Sequence, residues 1–347
     1  MAVHGLQGNR EIERLTCPSK DQFTENHLTQ GRPVVIEGAI EDWPSKKWTL
    51  AYLQSKAGDN EVFVRSNTNC DEYRSGRKYD VKKTTFGKYI SDLIEDNKRA
   101  HNSYLAVQNI KRAFPQLKDE ITVPEYVGKL HGGPYMWIAP EGHYEYCHQD
   151  PDDGLLVILN GSKQVRLFGC DPEPLYPNPL GSKGRTIQSQ VDCNNPDFSE
   201  HPKFANATCH YTTLKSGEML YIPAFWWHQV TTLETTISIN MFFGDAGDYV
   251  YLDKVMHEPF WPAFRNWLLN IIEQNRVCGS FDRILARLGE VLENFFHTQW
   301  HEHGTPEHTE RLVQAVMQHL GRTELPVIES TAKHPPDLKI RGLLWRN

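Results

Sequence analysis

Residues 155–168 read LLVILNGSKQVRLF, and the parsing of this stretch decides the fold class. Two runs rich in aliphatic and β-branched residues flank Asn160-Gly161, a dipeptide suited to the positive φ angles of a two-residue turn. The reading is two strands joined as a β-hairpin. Similar signals lie on either side. GRPVVIEGA (31–39) is an apolar run bounded by glycines. SGEMLYIP (216–223) is a turn followed by a strand that Pro223 ends, and TTISINMFF (235–243) alternates β-branched residues with others. Many short strands separated by Gly and Pro turns predict a sandwich or barrel. Residues from about 170 to 210 form a long loop rich in Pro, Asn and Asp, and loops of this length tend to carry function.

Outside this β-rich centre the texture changes. Short amphipathic helices are expected at Trp48 to Leu53 and at Phe86 to Ile94. From Glu258 onward the apolar period is helical: Phe260, Phe264, Trp267, Leu268, Ile271 and Ile272 share one face. A second helix is expected over Phe281–Phe296 with Ser280 as its N-cap. A third opens at Thr305-Pro306-Glu307 and ends before Gly321. The expected organisation is an N-terminal extension (1–30), a mainly β domain with N-terminal α/β elements (31–255), a C-terminal helical region (256–321) and a tail (322–347).

Composition narrows the function classes. The chain has 347 residues, 39% of them hydrophobic, with a formal net charge of −7. That balance argues against a broadly basic nucleic-acid-binding surface. No apolar run reaches the length of a membrane span, and the first residues hold no signal-peptide core. Seven cysteines form no CxxC pair, which reads as reduced thiols and excludes a zinc ribbon. A cytoplasmic or nuclear protein is expected, without nucleic-acid or membrane partners.

The residues with most chemistry are His148-Gln149-Asp150 and, far downstream, His228 in AFWWHQV. Two imidazoles and one carboxylate can occupy one face of an octahedral iron and leave three positions open. Residues two apart on a strand point to the same side, so His148 and Asp150 can share a metal. An HxD triplet alone is short enough to arise by chance. Its context here, before one strand pair and matched to a histidine after another, is more specific.

That context resembles the JmjC (cupin-like) Fe(II)- and 2-oxoglutarate-dependent oxygenases. HQD, NGSKQVRLF, LYP, SQVDCNNPDFSEHPKF, SGEMLYIPAFWWHQV and ISIN occur in the family's order, and the resemblance covers roughly residues 31 to 245. It implies a double-stranded β-helix (jelly-roll or cupin) core, with His148, Asp150 and His228 as both catalytic residues and iron ligands. It also implies that Lys163 pairs with the distal carboxylate of 2-oxoglutarate, that Tyr104 donates to the same group, and that Asn240 lines the pocket. Gln188 matches a residue facing the substrate amide, and Trp227 is expected to wall the substrate cleft. Fe(II), 2-oxoglutarate and O2 would be the cofactor and cosubstrates, with succinate and CO2 as products.

The overall layout is most similar to the factor-inhibiting-HIF asparaginyl hydroxylase group. A polypeptide substrate is expected, hydroxylated on a side chain, with asparagine favoured. By the same resemblance the C-terminal helices would form a homodimer. The alternatives are an arginyl or lysyl hydroxylase or demethylase, a hydroxylase of a modified tRNA base, and a non-catalytic iron-binding interaction protein. Three departures stand out. Glu145 replaces a small hydroxyl residue three positions before the first histidine, Gly154 replaces an asparagine, and Ile187 replaces a polar residue. A carboxylate at Glu145 would repel the cosubstrate unless it turned outward or were protonated.

Overall fold

The computed structural model describes residues 2–75, 80–96, 100–178, 186–244 and 249–276, with positions 314 and 318. Its centre is eight strands: β1 (Leu130–Ala139), β2 (Tyr144–Gln149), β3 (Asp153–Asn160), β4 (Ser162–Phe168), β5 (Thr208–Lys215), β6 (Met219–Ile222), β7 (Trp227–Thr232) and β8 (Thr236–Phe243). In one sheet β1, β8, β3 and β6 are neighbours in that order; in the other, β5, β4, β7 and β2. Every pairing among these eight is antiparallel. Apart from β4 and β5, which pair within one sheet, consecutive strands thus cross from sheet to sheet, which is the double-stranded β-helix of a jelly roll.

The expected hairpin at Asn160-Gly161 does not form. β3 pairs with β6 and β8, whereas β4 pairs with β5 and β7. The cause lies in the apolar run itself. Leu155, Val157 and Leu159 of β3 pack into an outer cluster with the helices, while Leu156 and Ile158 pack into the cluster between the sheets. A strand buried on both faces reads as continuous rather than alternating. Asn160-Gly161 is the corner by which the chain leaves one sheet for the other. Gly161 has φ 77° there, and a Cβ would run into the carbonyl oxygen of Thr235.

The segment read as an N-terminal extension is woven into both sheets. Gly8–Glu11 pairs in parallel with β5, and Arg14–Thr16 pairs in parallel with the strand Val34–Glu37, itself beside β6. Beyond β1 the larger sheet continues through Ser103–Asn109, Glu61–Ser66 and Asp80–Thr85. Two helices cover its outer face. Leu50–Ala57 begins after Thr49, whose side chain accepts from Tyr52 N, and so starts and ends later than the sequence suggested. Phe86–Ile94 falls where it was expected, capped by Thr85. Their residues Leu53, Phe86, Tyr89 and Ile90 join Val157, Ile237 and Ile239 in the largest apolar cluster. From that layer the Tyr89 hydroxyl donates to Ile138 O (2.8 Å) and accepts from Leu105 N (3.2 Å). It thereby fills a gap where the Ser103–Asn109 ladder shifts register.

Contacts divide the chain into one unit, Met1–Gly181 with Ile187–Asp245, and a second, Ser182–Thr186 with Ala246–Asn347. In the second unit Tyr249–Val255 and Trp261–Arg276 are helical, and the rings of Phe264 and Trp267 stack at 6.1 Å. Apart from positions 314 and 318, the two later helices, and with them most of the region expected to form a homodimer, lie outside the described residues. No helix among the described residues is long and apolar enough to cross a membrane. Six cysteines, Cys17, Cys70, Cys147, Cys170, Cys193 and Cys209, are free thiols.

The corner reading gives a stability test. Gly161→Ala must relieve a left-handed φ and a backbone collision together, and should lower unfolding free energy by about 2 kcal/mol or more. Urea denaturation measures this; a loss below about 0.5 kcal/mol, the range of an indifferent surface substitution, would contradict it.

Candidate metal centre

Antiparallel pairing of β2 with β7 sets His148 directly opposite His228, so both rings project from the same face of the sheet. Their centroids are 4.1 Å apart. Asp150 follows one residue beyond the end of β2, and its Oδ2 lies 3.8 Å from His148 Nε2 and 3.7 Å from His228 Nε2. The three donor atoms lie within 4.8 Å of one another. One ion at the ~2 Å bond lengths of first-row metals can reach all three.

The rings are held in the tautomer that metal binding needs. His148 Nδ1 donates to Tyr146 O (2.9 Å), and His228 Nδ1 donates to Trp226 O (3.0 Å). A carbonyl only accepts, so each Nδ1 carries the proton and each Nε2 presents its lone pair toward Asp150. Burial, with His148 alongside, pushes the His228 pKa down to about 4. The ring is therefore neutral at physiological pH, as a ligand must be.

The two ligand-bearing segments are also tied together through the backbone. Phe225, fully buried in AFWWH, adopts a left-handed φ of 62°. Its N–H donates to Asp150 O (2.8 Å), and its carbonyl accepts from Gln149 Nε2 (2.7 Å). Buried Asp153 accepts from Tyr221 OH (2.7 Å) and from Ala224 N (3.0 Å). A non-glycine residue at positive φ costs about 1 kcal/mol or more, and these bonds hold it in place.

Beside the triad is a polar interior. Lys163 shares the inward face of β4 with Val165 and Leu167, since residues two apart on a strand share a face. It is 3% exposed, and no carboxylate among the described residues lies within ion-pair distance of its Nζ. Burial lowers its pKa to about 8, against the opposing pull of Glu145. Tyr104 is equally buried; its ring centroid is 6.0 Å from Lys163 Nζ and 4.0 Å from that of His143. Burial raises its pKa, so its hydroxyl remains a donor.

Glu145 takes neither of the two routes that the sequence suggested. It neither turns outward nor gives up its charge. The β2–β7 ladder shifts register between His228 and Val230, so that Val230 faces Glu145. This bulge inserts one residue and brings position 145 to the same side as His148, where strict alternation would put it on the other. There Glu145 Oε1 accepts from Arg65 Nη1 (2.7 Å) and Oε2 accepts from Tyr73 OH (2.7 Å). Burial alone would raise its pKa; Arg65 and the hydrogen bond from His143 outweigh that and hold it well below the usual carboxylate range. His143 stays neutral because burial lowers its own pKa.

The remaining expected residues divide. Gln188 lies directly opposite His148 on a short strand, Ile187–Ser189, within the long loop. Its Nε2 donates to Tyr146 OH (3.1 Å), and its buried Oε1 has no partner among the described residues. On β8, Ile237, Ile239 and Met241 face the outer cluster. Thr236, Ser238 and Asn240 therefore face inward, and each carries a buried side-chain oxygen without a partner among the described residues. Trp227 is not brought to this group. It is fully buried, but it alternates with His228 along β7 and so faces the other side. Arg65, Tyr73, Trp137 and His143 were missed. Trp137, opposite Ser238 with a buried and unpartnered indole N–H, could have been found by extending the TISIN alternation across to β1.

Comparison with known proteins agrees with this fold. A family model described as a cupin-like domain matches residues 20–249. Lysine-specific demethylase 8 of Xenopus tropicalis is 31% identical over 250 residues, 70% of this chain and 55% of that protein. JmjC domain-containing protein D of Dictyostelium discoideum is 31% identical over 67% of this chain and 56% of its own length. The chain thus spans little more than half the length of these two relatives. The human tRNA wybutosine-synthesizing protein 5 is 26% identical over 301 residues, 82% of this chain and 91% of that protein.

If the triad is the metal centre, His148→Ala and His228→Ala should each weaken binding of Mn(II), a redox-stable stand-in for Fe(II), by at least about 100-fold. Calorimetric titration reads this directly; affinities within threefold of wild type would contradict it.

Proposed function

The chain belongs to the cupin-like, JmjC-type domain family, and from that premise we propose that it is an Fe(II)- and 2-oxoglutarate-dependent oxygenase acting on a protein side chain. The observation that carries this reading is the pairing of two unlike sites in one interior. A two-histidine, one-carboxylate centre stands beside a buried ammonium, Lys163, with no carboxylate within ion-pair distance among the described residues. An uncompensated buried cation is costly unless an anionic ligand completes it. A dicarboxylate that chelates the metal at one end and meets Lys163 at the other satisfies both.

Iron, O2 and 2-oxoglutarate, when bound, supply the oxidising chemistry that places one oxygen on a substrate C–H bond and releases succinate and CO2. His148, Asp150 and His228 would hold the metal on one face and leave the opposite face for cosubstrate and O2. Lys163 and the Tyr104 hydroxyl would fix the distal carboxylate, with the inward oxygens of β8, Asn240 among them, lining the pocket. The apolar cluster between the sheets, including Val165 and Leu167, would exclude water from the interior.

For the substrate, Gln188 supplies the clue. Its side-chain carbonyl is buried and unpartnered beside His148, and so would accept an N–H from the residue being modified. Asparaginyl and arginyl side chains carry such donors, and asparagine remains the favoured choice. A second reading, a modified tRNA base, is favoured by the extent of the match to the wybutosine-synthesizing protein, which reaches 82% of this chain. The net charge of −7 weighs against it. The non-catalytic reading rested mainly on Glu145, and its pairing with Arg65 removes that support.

Succinate release against a peptide library containing asparagine, arginine and methyl-lysine, and against tRNA, tests these readings together. A product heavier by one oxygen on a peptide is expected, absent with His148→Ala or Asp150→Ala. Product on tRNA alone would select the second reading, and activity surviving both substitutions would sink the assignment. The pH dependence has a sign as well. Only protonated Lys163 binds a carboxylate, and its pKa in the ligand-free protein is about 8. Affinity for 2-oxoglutarate should be flat below that value and fall about tenfold per pH unit well above it. A flat profile from pH 7 to about 9.5, beyond that pKa, would contradict the role of Lys163.

A further inference from the structure

Glu145 poses a problem that its own ion pair solves. Its carboxylate lies in the same interior as Lys163 and is close enough to oppose the effect of burial on that lysine. Left alone, it would be the natural counter-ion of the ammonium, and an anionic cosubstrate would find its cation already neutralised. Arg65 prevents this. It is held at position by the register of its strand, Glu61–Ser66, which places it opposite Tyr104. From there its guanidinium is 6.0 Å from the Tyr104 ring and 5.9 Å from the Trp137 ring, with Nη1 at 2.7 Å from Glu145 Oε1.

We propose that Arg65 is a positioning residue for cosubstrate binding: it sequesters Glu145 so that Lys163 stays available to the distal carboxylate of 2-oxoglutarate. The inference rests on the cosubstrate reading above and adds the charge balance that makes it work. With Asp150 set against the metal it would bind, Arg65 and Lys163 bring two positive charges to the rest of this interior, Glu145 brings one negative, and buried His143 is neutral. One positive charge remains, which matches one carboxylate. Tyr73 completes the arrangement by donating to the other Glu145 oxygen, so both oxygens are engaged away from Lys163. The ion pair leaves the net charge of the interior as a small neutral hydroxyl residue at this position would.

The test is calorimetric titration of the full chain with 2-oxoglutarate in the presence of Mn(II), which supports binding without turnover. Arg65→Met should weaken binding at least about 30-fold, because Glu145 then competes for Lys163. Arg65→Met with Glu145→Gln should recover to within about fivefold of wild type, and Glu145→Gln alone should bind severalfold tighter, since a neutral amide no longer offsets the lysine. A purely structural role for Arg65 predicts none of that tightening. Wild-type affinity in Arg65→Met, or a double variant as weak as the single one, would overturn the inference. Should Arg65→Met fail to fold, Glu145→Gln decides alone: tighter binding supports the proposal, and equal or weaker binding overturns it. Wild-type protein that binds Mn(II) but not 2-oxoglutarate would overturn the cosubstrate reading, and this inference with it. Wild type that binds 2-oxoglutarate normally, with variants that depart from this pattern, overturns the inference alone.

Discussion

The register between β2 and β7 is the constraint on which the rest depends. It puts His148 opposite His228, and a shift of one residue would send one of the two rings to the far side of the sheet. The structure secures that register from several directions. Phe225 bonds to the HQD segment at two points, Asp153 anchors the turn before it, and each histidine is oriented by a carbonyl two residues upstream. The ladder then breaks immediately beyond the histidine pair. The bulge there turns Glu145 inward, and the electrostatics of the whole interior follow from that single extra residue.

That interior is polar where a small β domain would ordinarily be oily. Its apolar cluster fills one end, and the other end holds Lys163, Glu145, Arg65, Tyr104 and the inward oxygens of β8. Burying so many polar groups is expensive, and each unpartnered atom adds to the cost. The outer face of the larger sheet compensates, because the two helices and the N-terminal strand region build the largest apolar cluster against it. Stability and function are thus assigned to opposite faces of the same strands.

Much of this was legible in the sequence, for reasons that differ by residue. The metal triad was legible because its donors are close in sequence or follow a recognisable strand. Lys163, Tyr104 and Asn240 were placed by resemblance, and the alternation of TISIN would have found Ser238 and Thr236 unaided. The asparaginyl choice came from whole-chain layout, whereas the relatives matched carry the names of lysine demethylases, a JmjC protein and a tRNA-modifying protein. Besides the N-terminal extension, the bounds of the first helix and Trp227, two expectations failed for reasons specific to the strands. Asn160-Gly161 has the chemistry of a tight turn, and that chemistry serves a sheet-to-sheet corner as well as a hairpin; only the burial of both faces of β3 separates them. Glu145 was expected to turn outward or to be protonated, and the bulge instead brings it inward to the Arg65 guanidinium. Arg65 and Tyr73 had no local signal, since what marks them is a charge at Glu145, 80 and 72 residues away in sequence.

On the reading proposed above, one interior binds iron and a dicarboxylate side by side. Anaerobic addition of Fe(II) and then 2-oxoglutarate, followed by visible absorption, tests it most directly. Chelation of iron by the keto-acid end should give a charge-transfer band in wild-type protein, absent from His148→Ala and Asp150→Ala. Wild-type protein that takes up Fe(II) and shows no such band at saturating 2-oxoglutarate would contradict the account.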